Sequence, residues 1–145
     1  MLFGRRKRIV KRILIVEDEP LTAFDTETIL ADLGYHVVAT LDDFDEALKR
    51  LDRDEVHLVI ADVRLHGRDR GLELAKAARV KGVPTLLATG HEIPLSTSHA
   101  VGCIRKPYTE RQLKLSLDTV DRHLQGETVK PPKGLELFIV VDEQK

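Results

Sequence analysis

The sequence predicts a doubly wound α/β domain, a parallel sheet with helices on both faces, and three observations carry that prediction. Short aliphatic runs alternate along the chain with segments whose apolar residues fall at helical spacing. The runs are apolar at nearly every position, not at every second one, which is the pattern of strands buried on both faces. Acidic, hydroxyl and lysine residues stand just past the ends of those runs, where an open parallel sheet forms its crevice.

The first strand is Arg12-Ile-Leu-Ile-Val-Glu17. Pro20 then suits the first turn of a helix, because the N–H it lacks would have no partner there. Leu21, Phe24, Ile29, Leu30 and Leu33 are the apolar residues of that helix, and Gly34 suits its C-terminal cap. His36 to Leu41 is the second strand. Phe44, Ala47, Leu48 and Leu51 follow at helical spacing, with Asp43 and Glu46 placed like a capping box.

Val56 to Ala61 reads as the third strand, closed by Asp62. A polar loop, Gly67-Arg-Asp-Arg-Gly71, leads to a helix carrying Leu74, Ala75 and Ala78 and stopped near Gly82. Val83 to Ala88 is the fourth strand and Val101 to Arg105 a short fifth. Between Thr89 and Cys103 only one or two helical turns fit around Pro94, so a shortened fourth helix is expected. Thr109 and Gln112 form another capping box, opening a helix that carries Leu113, Leu117, Val120 and Leu124. After Gly126 the chain turns polar, and Leu135 to Val141 reads as an extra C-terminal strand. The expected organisation is a basic arm over 1–11, one domain over 12–125 and a tail over 126–145 with its strand at 135–141.

Composition fits this reading. The 145 residues are 42% hydrophobic and 32% charged, with four Phe, two Tyr and no Trp, so the core is built from Leu, Val, Ile and Ala. No apolar run approaches the ~20 residues of a membrane span. The lone Cys103 makes no internal disulfide, and no signal-peptide apolar stretch follows the basic start, so a cytoplasmic location is expected. Residues 1–12 hold six of the 23 basic residues and no acid, which leaves the rest of the chain at −7. A solvated leader is the expected state of that arm. A body this acidic, without interleaved aromatics, argues against a nucleic-acid surface.

The strand ends carry the chemistry. Glu17, Asp18 and Asp62 offer hard oxygen ligands suited to Mg²⁺, since clustered carboxylates take up protons unless a cation binds. Asp62 can attack a phosphorus atom to form an acyl phosphate. Thr89 and Lys106 are placed to hold phosphoryl oxygens, because phosphoryl transfer needs positioning and charge neutralisation above all.

With these residues in place, the chain resembles the response-regulator receiver domain, the phosphoacceptor module of two-component signalling. The resemblance covers about residues 11–125 and rests on four motifs in order: Ile13-Leu-Ile-Val-Glu-Asp-Glu-Pro20, Val59-Ile-Ala-Asp-Val63, Leu87-Ala-Thr-Gly90 and Lys106-Pro-Tyr108. It implies a five-stranded parallel sheet in the order 2-1-3-4-5. It also implies that Asp62 is the phosphoacceptor and that Glu17, Asp18, Asp62 and the backbone carbonyl of Arg64 surround Mg²⁺. Thr89 and Lys106 would contact the phosphoryl group, and the Lys106–Pro107 peptide would be cis. The implied partner is a sensor histidine kinase or a histidine phosphotransferase.

Cys103 and the tail depart from the family pattern, and two further features qualify it. Cys103 stands where receivers usually carry a switching aromatic residue. Pro84-Thr-Leu-Leu-Ala-Thr-Gly-His91 and the long Leu65–Gly71 loop are instead similar to receivers of the alphaproteobacterial general stress response. Arg64 and His91 each lie two residues past a site residue, and both are expected to overhang the site and modulate the lifetime of the acyl phosphate. Finally, the apolar tail strand is expected to add to an exposed sheet edge, in its own subunit or exchanged in a homodimer.

The expected function is therefore a stand-alone receiver, acting as phosphate sink, relay or phosphorylation-dependent binding switch. No output enzyme or DNA-binding domain fits in the residues after the last helix. A phosphorylation-independent interaction module is the alternative. A phosphohydrolase of the haloacid-dehalogenase type needs a second acid two residues past its nucleophile, and Arg64 stands there.

Overall fold

A computed structural model describes residues 7–90 and 99–138. Its sheet contains β1 (Arg12–Val16), β2 (His36–Leu41), β3 (Leu58–Asp62), β4 (Thr85–Thr89), β5 (Gly102–Arg105) and β6 (Leu135–Leu137). The order is β2-β1-β3-β4-β5-β6, with the first five strands parallel and β6 antiparallel on β5. The chain runs from β1 out to β2 and returns across β1 to β3. The strand order thus reverses at β1, and the carboxyl ends of β1 and β3 open a crevice between them.

Because side chains alternate across a strand, each strand feeds two cores. Leu14, Val16, Val59, Ala61 and Leu87 pack with Ala47 and Leu51 of α2 (Phe44–Arg53) and with Leu74, Ala75 and Ala78 of α3 (Arg70–Val80). On the other face Ile13, Ile15, Leu58, Ile60, Leu86 and Ile104 meet Leu30 of α1 (Pro20–Asp32) and Leu113, Leu117 and Val120 of α4 (Glu110–Leu124). This is the doubly wound arrangement that the apolar runs require.

The helix ends follow their local chemistry. The Asp43 carboxylate accepts the Glu46 N–H at 3.0 Å. At α4 the capping box is complete: Thr109 N–H donates to Gln112 Oε1 at 2.9 Å and Gln112 N–H to Thr109 Oγ1 at 3.0 Å. Gly34, with φ +90°, turns the chain out of α1.

Several boundaries and faces differ from the sequence expectation. Leu21 and Phe24 do not enter the core; they are 76% and 67% exposed. The inward face of α1 is set by Ala23, Thr26 and Leu30, at helical spacing, and Phe24 lies one step (about 100°) round from Ala23. Pairing starts two residues later than expected in β3 and β4: Val56 and Val83 pack with the core before their strands enter the ladder. β5 begins at Gly102, not Val101. The tail joins the β5 edge within its own chain and ends as a strand at Leu137, while 139–141 lie outside the described residues. So does the stretch 91–98, where a shortened fourth helix was expected.

The basic start is not wholly a solvated leader. The Ile9 and Val10 N–H groups donate to Oδ2 of buried Asp121 at 3.0 and 2.8 Å, and Val10 is buried. The Arg8 guanidinium stacks 4.0 Å from the centre of the Tyr35 ring. Residues 1–6 lie outside the described residues.

Candidate active site

β1 delivers Glu17 and Asp18 to the crevice, and the Glu17 N–H extends the ladder to Leu41 C=O at 2.8 Å. The Glu17 side chain is buried, with its Oε2 accepting the Glu19 N–H at 3.1 Å. β3 delivers Asp62, whose Oδ1 accepts the Arg64 N–H at 3.1 Å. Gly71, at the start of α3, lies against this turn. A Cβ there would stand 1.9 Å from the Asp62 carbonyl oxygen, so only glycine lets the helix approach the strand end.

Lys106, just past β5, reaches into the acids. Its Nζ donates to Glu17 Oε1 at 2.7 Å and to Asp62 Oδ2 at 3.1 Å. Its backbone N–H donates to the carbonyl of buried Thr89 at 2.9 Å, which fixes the lysine against the end of β4. The Lys106–Pro107 peptide is cis. Beyond it the Tyr108 hydroxyl pairs with Thr26 Oγ1 at 2.6 Å and ties the turn to α1.

Glu17, Asp18 and Asp62 each bring a carboxylate oxygen within 4.8 Å of the others. Burial raises the Glu17 carboxyl above its ordinary value, with the Lys106 and Glu19 hydrogen bonds opposing and Asp62 reinforcing the rise. Lys106 is pulled down by its own burial, but its bonds to Glu17 and Asp62 outweigh this and leave it raised. Three carboxylates against one ammonium leave an excess of negative charge, and hard oxygen donors in that state fit a divalent cation such as Mg²⁺.

His66 was not singled out from the sequence, yet it touches the cluster. The Leu65–Arg68 turn closes with reciprocal bonds of 2.9 and 3.1 Å, and His66 and Gly67 take φ of +53° and +75° at its centre. That geometry aims the His66 N–H at Asp18 Oδ2, 2.7 Å away, while the ring Nε2 meets the Asp42 carbonyl at 2.8 Å. The glycine after the histidine was the available signal.

Of the two residues expected to overhang the site, Arg64 is exposed and its Nε lies 3.5 Å from Asp69 Oδ1. His91 lies outside the described residues. Cys103 is buried on β5, and burial first, then Glu136, pushes its thiol up to about 11. It behaves as a small apolar residue.

The family model described as the response regulator receiver domain matches residues 13–118. The chain is 32% identical over a 149-residue alignment to the transcriptional regulatory protein PdtaR of Mycobacterium tuberculosis, covering 94% of this chain and 72% of that one. It is 27% identical to the chemotaxis protein CheY of Pseudomonas aeruginosa, covering 79% of this chain and 99% of that one. The crystal structure of a CheY-like receiver domain protein from Methanospirillum hungatei superposes with a TM-score of 0.67 at 27% identity, over 81% of this chain and 95% of that one. The receiver domain of the sensor histidine kinase PA1611 from Pseudomonas aeruginosa, described with magnesium in its active-site cleft, shares the fold. Its TM-score is 0.66 at 23% identity, over 81% of this chain and 99% of that one. These matches establish a family and not the stress-response subgroup.

Proposed function

The chain belongs to the response regulator receiver domain family of two-component signalling, and on that premise we propose that Asp62 is its phosphoacceptor. The observation that carries the reading is the convergence of Asp62, Glu17, Asp18 and the Lys106 ammonium in one crevice. The donor is the phosphohistidine of a sensor histidine kinase or histidine phosphotransferase. An Asp62 carboxylate oxygen attacks phosphorus, the P–N bond to the donor imidazole breaks, and the imidazole leaves with a proton from water. Lys106 moves its ammonium onto a phosphoryl oxygen, and the Thr89 hydroxyl donates to another.

Glu17, Asp18, Asp62 and the Arg64 carbonyl are the residues that would hold Mg²⁺. When bound, that ion supplies charge neutralisation at the phosphoryl oxygens. Hydrolysis of the acyl phosphate later returns Asp62, with Arg64 and His91 placed by sequence to influence how water approaches. The module serves as a sink, a relay or a switch that binds a partner once phosphorylated.

Incubation with acetyl phosphate and Mg²⁺, followed by intact mass measurement, tests the reading. One added phosphoryl group on the wild type, absent from Asp62→Ala and lost on chelation, is the expected result. An unchanged mass with acetyl phosphate and with a phosphorylated histidine kinase alike would favour an interaction module that works without phosphorylation.

A further inference from the structure

We propose that β6 is a strap on the β5 edge that loosens when Asp62 carries a phosphoryl group; the inference rests on the phosphoacceptor reading. Four observations carry it.

The strap is short and closely fitted. β6 spans three residues, and its pairing with β5 matches Gly102 with Leu137, Cys103 with Glu136 and Ile104 with Leu135. A Cβ on Gly102 would stand 2.4 Å from the Glu136 carbonyl oxygen, and its other near neighbours also belong to β6, so the absent side chain admits the strap. Side chains then hold it. Phe138 is buried in the same core as Cys103, Leu87 and Ala100, and Leu135 in the opposite core with Ile104 and Leu113.

The strap is also joined to the acid cluster through consecutive backbone groups. The Arg105 N–H donates to the Gly134 carbonyl at 2.8 Å, at the entrance to β6, and the Lys106 N–H donates to Thr89 C=O at 2.9 Å. β4 and β6 lie on opposite edges of β5. Lys106 Nζ now bridges Glu17 and Asp62. A phosphoryl group on Asp62 gives that ammonium new oxygens to follow on the β4 side of β5. Displacement of residues 105–106 in that direction lengthens the Arg105–Gly134 bond. With three pairs in register among the described residues, β6 yields before the five parallel strands do. Binding at Asp62 and release of β6 are then reciprocal, each favouring the other by the same factor.

The experiment uses the whole chain, Mg²⁺ and beryllium fluoride as the phosphoryl mimic. The ¹⁹F resonance of bound fluoride reports occupancy, and amide hydrogen exchange is read at Arg105 and Phe138, the donors to Gly134 and Val101. Exchange at both amides is expected to rise by at least about fivefold on binding, the lower end of ordinary coupling between sites, with little change in α3. Gly102→Ala and Phe138→Ala, which loosen β6 without touching the acids, are expected to tighten beryllium fluoride binding by a similar factor. A filled site with unchanged exchange at Arg105 and Phe138 overturns the strap while leaving the phosphoacceptor reading intact. No bound resonance at all overturns both.

Discussion

The Lys106 ammonium donates to Glu17 Oε1 at 2.7 Å, and this pair, drawn from opposite ends of the domain's sequence, sits beside Asp62. The lysine offsets repulsion among acids that the fold brings together before any cation arrives. It is therefore a structural residue as well as the proposed phosphoryl contact.

Lys106→Met removes charged hydrogen bonds from Glu17 and Asp62 and is expected to cost about 2 kcal/mol at neutral pH. In the folded chain Lys106 is raised, its bonds to the acids outweighing its burial. Its stabilisation is complete below its ordinary value of 10.5 and is lost as pH climbs through the higher folded value. Urea unfolding in chelator should thus show a fall in wild-type stability above pH 10.5 that is missing in Lys106→Met. Parallel profiles for the two proteins would contradict this role.

Gly71→Ala forces a methyl group onto the Asp62 carbonyl, and the contact is with backbone that cannot swing away. A loss of about 3 kcal/mol is expected, the upper range for overpacking. Gly67→Ala, which meets nothing within 4 Å, should pay only for its left-handed φ, about 1 kcal/mol. Denaturation midpoints of the two variants give the comparison directly.

Asp121→Ala leaves the Ile9 and Val10 N–H groups without their acceptor. About 2 kcal/mol of stability should be lost. Amide exchange at residues 9 and 10 should quicken more than exchange in β3, because the contact clamps the chain's entry into β1.

The Cys103 thiol, pushed up to about 11, should be nearly inert. At pH 8 a thiolate-selective disulfide reagent is expected to react roughly a hundredfold more slowly with the folded chain than with the chain in urea, one decade for each pKa unit. Equal rates would mean that the thiol is not shielded by the fold.

Much of this architecture is legible in the sequence because its signals are local. Apolar runs, the proline of α1 and the capping box at Thr109 each act over a few residues, so strands and helices fall close to where they are read. The candidate acids are legible because an open parallel sheet gathers whatever follows its strands. Residues whose roles arise only on packing are not legible. Asp121 looks like any polar residue of an amphipathic helix until the chain entering β1 lies against it. His66 needs the left-handed turn, and Gly71 needs the neighbouring strand end. Leu21 and Phe24 mislead for the converse reason: their spacing fits a buried stripe, but Ala23 and Thr26 allow α1 a closer seat on the sheet. The tail strand is legible, because a run as apolar as Leu135 to Phe138 needs a sheet edge to cover it, and both of those residues are buried where β6 lies on β5.

The central claim is that the phosphoryl group resides on Asp62. The most direct measurement is to phosphorylate the chain in Mg²⁺, reduce the acyl phosphate with borohydride, digest, and sequence the modified peptide by mass spectrometry. Conversion of Asp62 alone to homoserine, abolished by chelation and absent without phosphodonor, is the predicted result. Conversion at Asp18 or Glu17, or at no carboxylate despite a phosphorylated chain, would contradict the account.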